Sequence, residues 1–256
     1  MKRNEARPSY NKNLVSLRSE WDQVVPFRHN QISSGEDISF NQVLVPTIKN
    51  LLNGLYSKNI LDIGCGSGEL TSQLLDYSEK VTGIDFSVCS INLAQKVYGN
   101  SKNIDFVISS IEEYAKLVSK NSFSIAIANM TLMTMPDLKK AANAIKNLLE
   151  PEGKFIATIP HPTFWPKYWG YEKDEWFDYN QEIAVEAPFR ISNETLKIIT
   201  THIHRPLEKY IEIFYSEGFL LEQLLEPFPN TEIMKLYPEP WEYPRFLALK
   251  WVRGKE

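Results

Sequence analysis

The chain has 256 residues, of which 43% are hydrophobic and 23% charged, so it can bury a substantial core and disorder is excluded as its main state. A net charge of −4 leaves no electrostatic footprint for a polyanion, and no run approaches the roughly 18 apolar residues of a membrane span. Cys65 and Cys89 are too few for a disulfide framework, no His/Cys spacing suggests a metal, and the polar start MKRNEARPSYNKN lacks the apolar stretch of a secretory signal. The expectations are a cytoplasmic protein with a small-molecule partner, no nucleic acid and no membrane.

Residues 1–39 mix charge with the irregularly spaced aromatics Tyr10, Trp21 and Phe27, which predicts one short helix and a loop forming a cap ahead of a domain over 40–256. Trp21 and Arg28 in this segment are candidates to close over a ligand, and Arg28 reads equally as a solvated charge. Val43, Leu44, Ile48, Leu51, Leu52 and Leu55 recur at helical spacing, and Asn53-Gly54 stops that helix. A strand over 59–63 then runs straight into Gly64-Cys65-Gly66-Ser67-Gly68 and the helical ELTSQLLDYS. Further strands follow at 80–84, 104–108, 124–128 and 154–159. Helices separate them at 87–97, where Ser87 is a plausible N-cap, at SIEEYAKLVS, and at 138–149. This alternation demands right-handed crossovers and a mostly parallel sheet covered on both faces, an α/β doubly wound fold.

After Pro160 the rhythm breaks. Eight aromatics lie between His161 and Tyr179, a composition that predicts a packed loop or lid, followed by a hairpin strand in TLKIITTHI. Residues 161–204 are therefore expected to be an insertion. A helix over 205–217 ends at Gly218, and strands at 219–226 and 245–252 complete the chain.

A glycine turn at the carboxyl end of a first parallel strand lets a ligand approach the backbone closely. The dinucleotide fingerprint GxGxxG needs glycine where this chain has Glu69, and a carboxylate there repels a pyrophosphate. With acids at both ends of the turn, Asp62 and Glu69, a ligand bearing a cationic amino group and no phosphate fits better than a nicotinamide dinucleotide. Asp85 ends the second strand, seventeen residues past Gly68, where an acid can accept hydrogen bonds from both ribose hydroxyls.

ILDIGCGSG, VTGID and SFSIAIANMTLMTMPDLKKAANAIKNLLEPEGKFIATIPHP, spaced through residues 59–162, resemble the class I S-adenosylmethionine-dependent methyltransferases, in the small-molecule branch often called type 11 or type 12. The resemblance continues more faintly through HRPLEKYIEIFYSEGF and PRFLALK. It implies a Rossmann-like seven-stranded sheet with an antiparallel last strand, and S-adenosylmethionine as cofactor across the carboxyl ends of the first, second and fourth strands. It further implies that Asp62 and Gly64 hold the methionine portion, Gly66 and Gly68 give backbone access, Asp85 binds ribose and Phe86 lies against adenine. Ser110 and Ile111 stand where the family usually has an Asp and a small residue at the adenine edge. Asn129, with Met130, ends the fourth strand, where a main-chain carbonyl meets the cofactor's amino group. Ser124 and Met133-Thr134 replace a frequent Asp and a His pair, departures that bear on the acceptor more than on the cofactor.

The sulfonium methyl is already activated, so the protein's main tasks are alignment and exclusion of water. An O- or N-nucleophile that must lose a proton gains from a base, for which His161 is the leading candidate; a histidine that only hydrogen-bonds within its Pro-His-Pro turn is the alternative. Phe164, Trp165, Trp169 and Tyr171 are expected to wall the acceptor, with His204, which alternates with His202 along its strand, as a further contact. A non-catalytic cofactor binder and a nucleic-acid methyltransferase are the competing functions. The second lacks its usual Asn-Pro-Pro-aromatic turn, since Asn129-Met130-Thr131-Leu132 stands there.

Overall fold

The computed structural model describes residues 5–10, 12–191 and 194–255, so residues 1–4 and 11 of the expected cap lie outside the described residues. In chain order the elements are β1 (Arg7–Pro8), α1 (Leu14–Ser33), α2 (Val45–Leu51), β2 (Ser57–Ile63), α3 (Glu69–Gln73), β3 (Ser78–Asp85), α4 (Val88–Tyr98), β4 (Ile104–Ile108), α5 (Ile111–Leu117) and β5 (Phe123–Asn129). There follow α6 (Leu138–Leu148), β6 (Leu149–Pro160), α7 (Phe164–Trp169), β7 (Ile183–Ile191), β8 (Glu194–His204), α8 (Leu207–Ser216), β9 (Phe219–Leu225), α9 (Thr231–Met234) and β10 (Phe246–Arg253).

Seven strands form the main sheet in the order β4-β3-β2-β5-β6-β10-β9. β2 to β6 run parallel, and β10, the last strand in sequence, is antiparallel to both its neighbours. The expected sheet, with its antiparallel last strand, is therefore present. Successive residues of a strand point to opposite faces, and the two cores follow from that. Leu61, Ile63, Ala126, Ala128 and Phe155 face α5, α6 and α8, where Phe155 stacks on Phe214 at 5.1 Å and on Trp251 at 5.4 Å between ring centroids. Ile60, Val81, Ile125, Ile127 and Ile156 face α2 and α3, meeting Ile48, Leu51, Leu52 and Leu70.

Two expectations need correction. The N-terminal segment holds a helix of 20 residues rather than a short one, opened by a capping box in which Asn13 and Ser16 each bond the other's backbone N–H. Its buried set includes Glu20 and Gln31 beside Leu17, Val24, Val25 and Ile32, so no clean apolar stripe advertises it. The insertion, in turn, carries more regular structure than the expected loop: the expected hairpin strand is present as β8, and α7 and β7 are added. The β7–β8 hairpin with β1 forms a separate antiparallel sheet in the order β1-β7-β8. This small sheet has its own core of Trp169, Tyr171, Val185 and Ala187.

Buried polar ties join the two sheets. Glu20 of α1 accepts from the Thr201 backbone N–H at 2.8 Å and from its hydroxyl at 3.0 Å, and is also paired with Lys12. Arg205, just past β8, is 1% exposed; it grips Glu182 through Nε at 2.8 Å and Nη2 at 3.1 Å. The same guanidinium donates to the carbonyls of Leu132 at 3.2 Å and Met135 at 2.7 Å, in the loop after β5. Among the described residues, no helix is long and apolar enough to cross a membrane. Arg205→Ala removes a buried cation and strands those carbonyls, so it is expected to cost about 3 kcal/mol of stability. Urea denaturation reads this directly, and a loss below about 1 kcal/mol would show that water replaces the guanidinium.

Candidate functional site

β2, β3 and β5 end side by side, and the turn Gly64–Gly68 leaves the sheet there. Gly64 adopts φ +67°, and any Cβ on it would overlap the Thr131 side chain, so the post-β5 loop can lie against this turn only because position 64 is glycine. Its N–H donates to the Ile84 carbonyl at 2.8 Å, tying the turn to β3. Beneath the turn lies a cavity of about 130 Å³ whose wall includes Asp62, Gly64, Gly66, Glu69, Asp85 and Phe86.

Three carboxylates converge on this space. Asp62, 1% exposed, accepts from the Thr71 hydroxyl at 2.7 Å. Burial pushes its carboxyl up to about 7, with the charges of Asp85 and Glu69 adding to the rise and the Thr71 bond opposing it. Asp85 accepts from the Gly66 N–H at 3.0 Å on one oxygen and from the Ser87 N–H at 2.8 Å on the other. Burial nevertheless pushes it up to about 6. Glu69 accepts from the Ser67 hydroxyl at 2.7 Å and lies 2.6 Å from Nδ1 of His29.

A smaller cavity of about 40 Å³ continues past Asp85 and Phe86 to Ser109, Ser110, Ile111 and Glu112. The Ser110 hydroxyl caps α5 by accepting from the Glu113 N–H at 3.3 Å, which gives a physical reason for serine at this position. On the other side, Met130 holds φ +54° beyond Asn129, a left-handed conformation that is strained for a side-chain-bearing residue. Its N–H donates to the Thr158 carbonyl at 3.0 Å, and the Thr158 hydroxyl donates to Asn129 Oδ1 at 2.6 Å, so β6 stabilises the strained turn. The Asn129 carbonyl accepts from the Thr131 hydroxyl at 3.1 Å.

α1 covers the cavity. Trp21, Val25, Arg28 and Ile32 lie at helical spacing and form one lining stripe, continued by Phe40. Arg28 pairs with Asp37 and sits 5.5 Å from the Phe40 ring centre, while Trp21 packs edge-on against Phe189 at 6.0 Å.

Residues 56–205 match the family described as "Methyltransferase domain". The chain belongs to this family. It is 31% identical over 121 residues to the ubiquinone biosynthesis O-methyltransferase of Idiomarina loihiensis, covering 46% of this chain and 49% of that protein. Against the malonyl-[acyl-carrier protein] O-methyltransferase of Acetivibrio thermocellus, identity is 34% over 117 residues, covering 44% of this chain and 40% of the relative. The chain thus spans about half the length of the curated relatives it matches. In fold it is similar to a putative S-adenosylmethionine-dependent methyltransferase of Listeria monocytogenes, with a TM-score of 0.68 and 20% identity over 82% of this chain and 96% of that one. A second fold neighbour is the 1,6-didemethyltoxoflavin-N1-methyltransferase of Burkholderia thailandensis, solved with 1,6-didemethyltoxoflavin and S-adenosylhomocysteine. It gives a TM-score of 0.62 at 16% identity over 97% and 95% of the two chains.

The structure brings Asp62, Gly64, Gly66, Asp85, Phe86, Ser110, Ile111, Asn129 and Met130 of this domain, with Trp21 and Arg28 from the preceding helix, to two cavities that share Gly64, Asp85 and Phe86. Gly68 is not among them. A Cβ there would meet Phe106 at 2.9 Å and Tyr98 at 3.0 Å, so this glycine makes room for β4 and α4 rather than for a ligand.

His161 stands apart from both cavities. It is 4% exposed and lines neither; Nδ1 accepts from the N–H groups of Thr163 at 3.2 Å and Phe164 at 3.4 Å, at the start of α7, while Nε2 lies 2.8 Å from Glu226 Oε1, just past β9. Both ring nitrogens therefore have partners within the fold. Phe164 stacks on Tyr243 at 5.3 Å, and Trp169 and Tyr171 belong to the core of the small sheet. The His204 ring bonds the Tyr179 carbonyl at 2.9 Å. Trp165 comes nearest to the site, because it packs in the cluster of Val43, Leu44, Trp241 and Phe246 that also receives Met130. None of these five lines either cavity.

Several lining residues escaped the sequence reading, among them Phe40, Ser109 and Thr131. Thr131 shows itself only through its contact with Gly64, 67 residues away in the chain. The raised carboxyls make stability depend on pH. Asp62 and Asp85 stand above the ordinary value of 3.8, so the folded, ligand-free protein holds protons that the unfolded chain releases. Their contribution is complete below about pH 4 and is lost as pH rises through about 6 to 7. The melting temperature of the ligand-free protein is expected to fall between about pH 5 and pH 8, and Asp62→Asn should flatten that fall. A Tm that rises over this interval in both proteins would contradict the assignment.

Proposed function

We propose that this protein transfers a methyl group from S-adenosylmethionine to a small-molecule acceptor. The observation that carries the reading is the convergence of Asp62, Glu69 and Asp85 on one glycine-walled cavity. A site with this charge repels pyrophosphate and favours a ligand that combines positive charge with a sugar diol. The residues fit that ligand. Each oxygen of Asp85 accepts one backbone N–H and retains a lone pair for a ribose hydroxyl. Phe86 with Ser110 and Ile111 encloses the smaller lobe, which suits adenine, while Asp62, Gly64 and the Asn129 carbonyl surround the methionine end.

When bound, the cofactor supplies a methyl group on a positively charged sulfur, already activated toward in-line displacement. The chain's own residues then align the acceptor and exclude water. The α1 stripe and Phe40 shield the cavity, and the strained turn at Met130 aims its side chain towards the Trp165 cluster at the acceptor side. Trp21, Phe40 and Met130 favour a flat, apolar acceptor with an oxygen or nitrogen nucleophile. Relatives named for O-methylation and a fold neighbour named for N1-methylation support either atom. His161 takes no proton from the acceptor in this reading, because its nitrogens are already bonded.

Calorimetry with S-adenosylmethionine and with NAD tests the cofactor half of this reading: binding of the first and not the second is expected. Screening candidate acceptors for a mass gain of about 14 tests the transfer; a protein that binds cofactor tightly and methylates nothing would be a sensor instead. Asp85→Ala should weaken cofactor binding by about 1.5 to 3 kcal/mol through the loss of charged hydrogen bonds. Unchanged affinity in that variant would remove Asp85 from the ribose site.

A further inference from the structure

Glu69 opens α3 directly after the glycine turn and is only 7% exposed. A buried carboxylate is tolerated only where donors satisfy it. Among the described residues, both of its side-chain donors meet a single oxygen: the Ser67 hydroxyl at 2.7 Å and His29 Nδ1 at 2.6 Å both reach Oε1. Because a carboxylate only accepts, the proton of this bond sits on Nδ1 of His29. Oε2 receives neither bond, and the residue lines the cavity. His29 reaches it from a different element, 40 residues away, next to Arg28 on the helix that covers the site. Asp62, the other acid at this end, already has its Oδ2 engaged by Thr71.

We propose that His29 is a positioning residue: it holds Glu69 with Oε2 turned to the cavity, where that oxygen receives the cationic amino group of the cofactor's methionine portion. This inference rests on the cofactor reading above. It joins the helix that covers the site to the amino-group seat through one hydrogen bond.

Calorimetry with two probes tests it. S-adenosylhomocysteine carries the amino-acid portion, whereas 5′-methylthioadenosine keeps the nucleoside and sulfur but lacks it. Glu69→Gln should lose about tenfold or more in affinity for the first probe and keep its affinity for the second. His29→Ala should lose about fivefold for the first probe only. His29→Asn, whose side-chain N–H can replace Nδ1–H, should recover most of that loss. In a Glu69→Gln background His29→Ala should add nothing further, because it acts through Glu69. Equal losses for both probes, or losses that multiply in the double variant, would overturn the proposal and leave His29 as a packing residue. Binding of neither probe by the unaltered protein would overturn the cofactor reading itself, and this inference with it.

Discussion

Like charge gathered in a low-dielectric cavity is the constraint on which this molecule turns. Removing a carboxylate from water disfavours its charged form, and a second and third nearby compound the effect. The fold meets the cost locally. Backbone N–H groups of Gly66 and Ser87 converge on Asp85, Thr71 serves Asp62, and Ser67 with His29 serves Glu69. Those donors come from the glycine turn, from the first turns of α3 and α4, and from α1. Compensation remains incomplete, since burial still leaves Asp62 and Asp85 well above the usual carboxylate range. A cavity in this condition is stabilised by a positively charged occupant, and that preference links the geometry of the turn to methyl-sulfonium chemistry.

The small sheet and α1 serve this cavity indirectly. Glu20 fastens α1 to β8, and Asp22 accepts from the Ser87 hydroxyl and from the Cys89 N–H at the start of α4, two residues beyond Asp85. Arg205 fastens the end of β8 to the carbonyls of the post-β5 loop, which carries Met130, Thr131 and Thr134. The hairpin and the residue that follows it therefore tie down two walls of the site, the covering helix and the post-β5 loop, while the insertion's aromatics pack among themselves. Trp165 alone reaches from that aromatic group to the cluster holding Met130.

What could be read from the sequence was what depends on short spacing. The alternation of strands and helices, the turn Gly64–Gly68 and Asp85 at the end of the next strand are all local patterns, and the structure places them as expected. Gly68 belonged to the right motif, but the side chains of Phe106 and Tyr98 that demand its missing Cβ come from β4 and α4. The sequence leaves His161 between a base and a hydrogen-bonded turn residue because its partner Glu226 lies 65 residues onward and its other bonds depend on the geometry of α7. α1 was underestimated because its buried face is partly polar: Glu20 and Gln31 carry no hydrophobic periodicity, and Glu20 finds its partner on β8, 181 residues away. Sites made of such long-range pairs are invisible to periodicity.

The small sheet also holds buried titratable groups outside the cavity. His202 is held down to about 3 by burial, with His204 adding to the effect, and Tyr171, which bonds His202 at 3.2 Å, is pushed well up by burial. His204 is likewise lowered by burial, against the Tyr179 carbonyl that favours its charged form. His202 and Tyr171 therefore stay neutral near pH 7. Among the described lining residues of the larger cavity, Arg28 is then the single cation facing three carboxylates, and Asp37 already pairs with it. The field across the site accordingly runs from the covering helix towards the glycine turn, drawing positive charge to the ends of β2 and β3. On the proposed function, that field favours the cationic cofactor, while Trp21, Phe40 and Met130 offer an acceptor shape rather than charge.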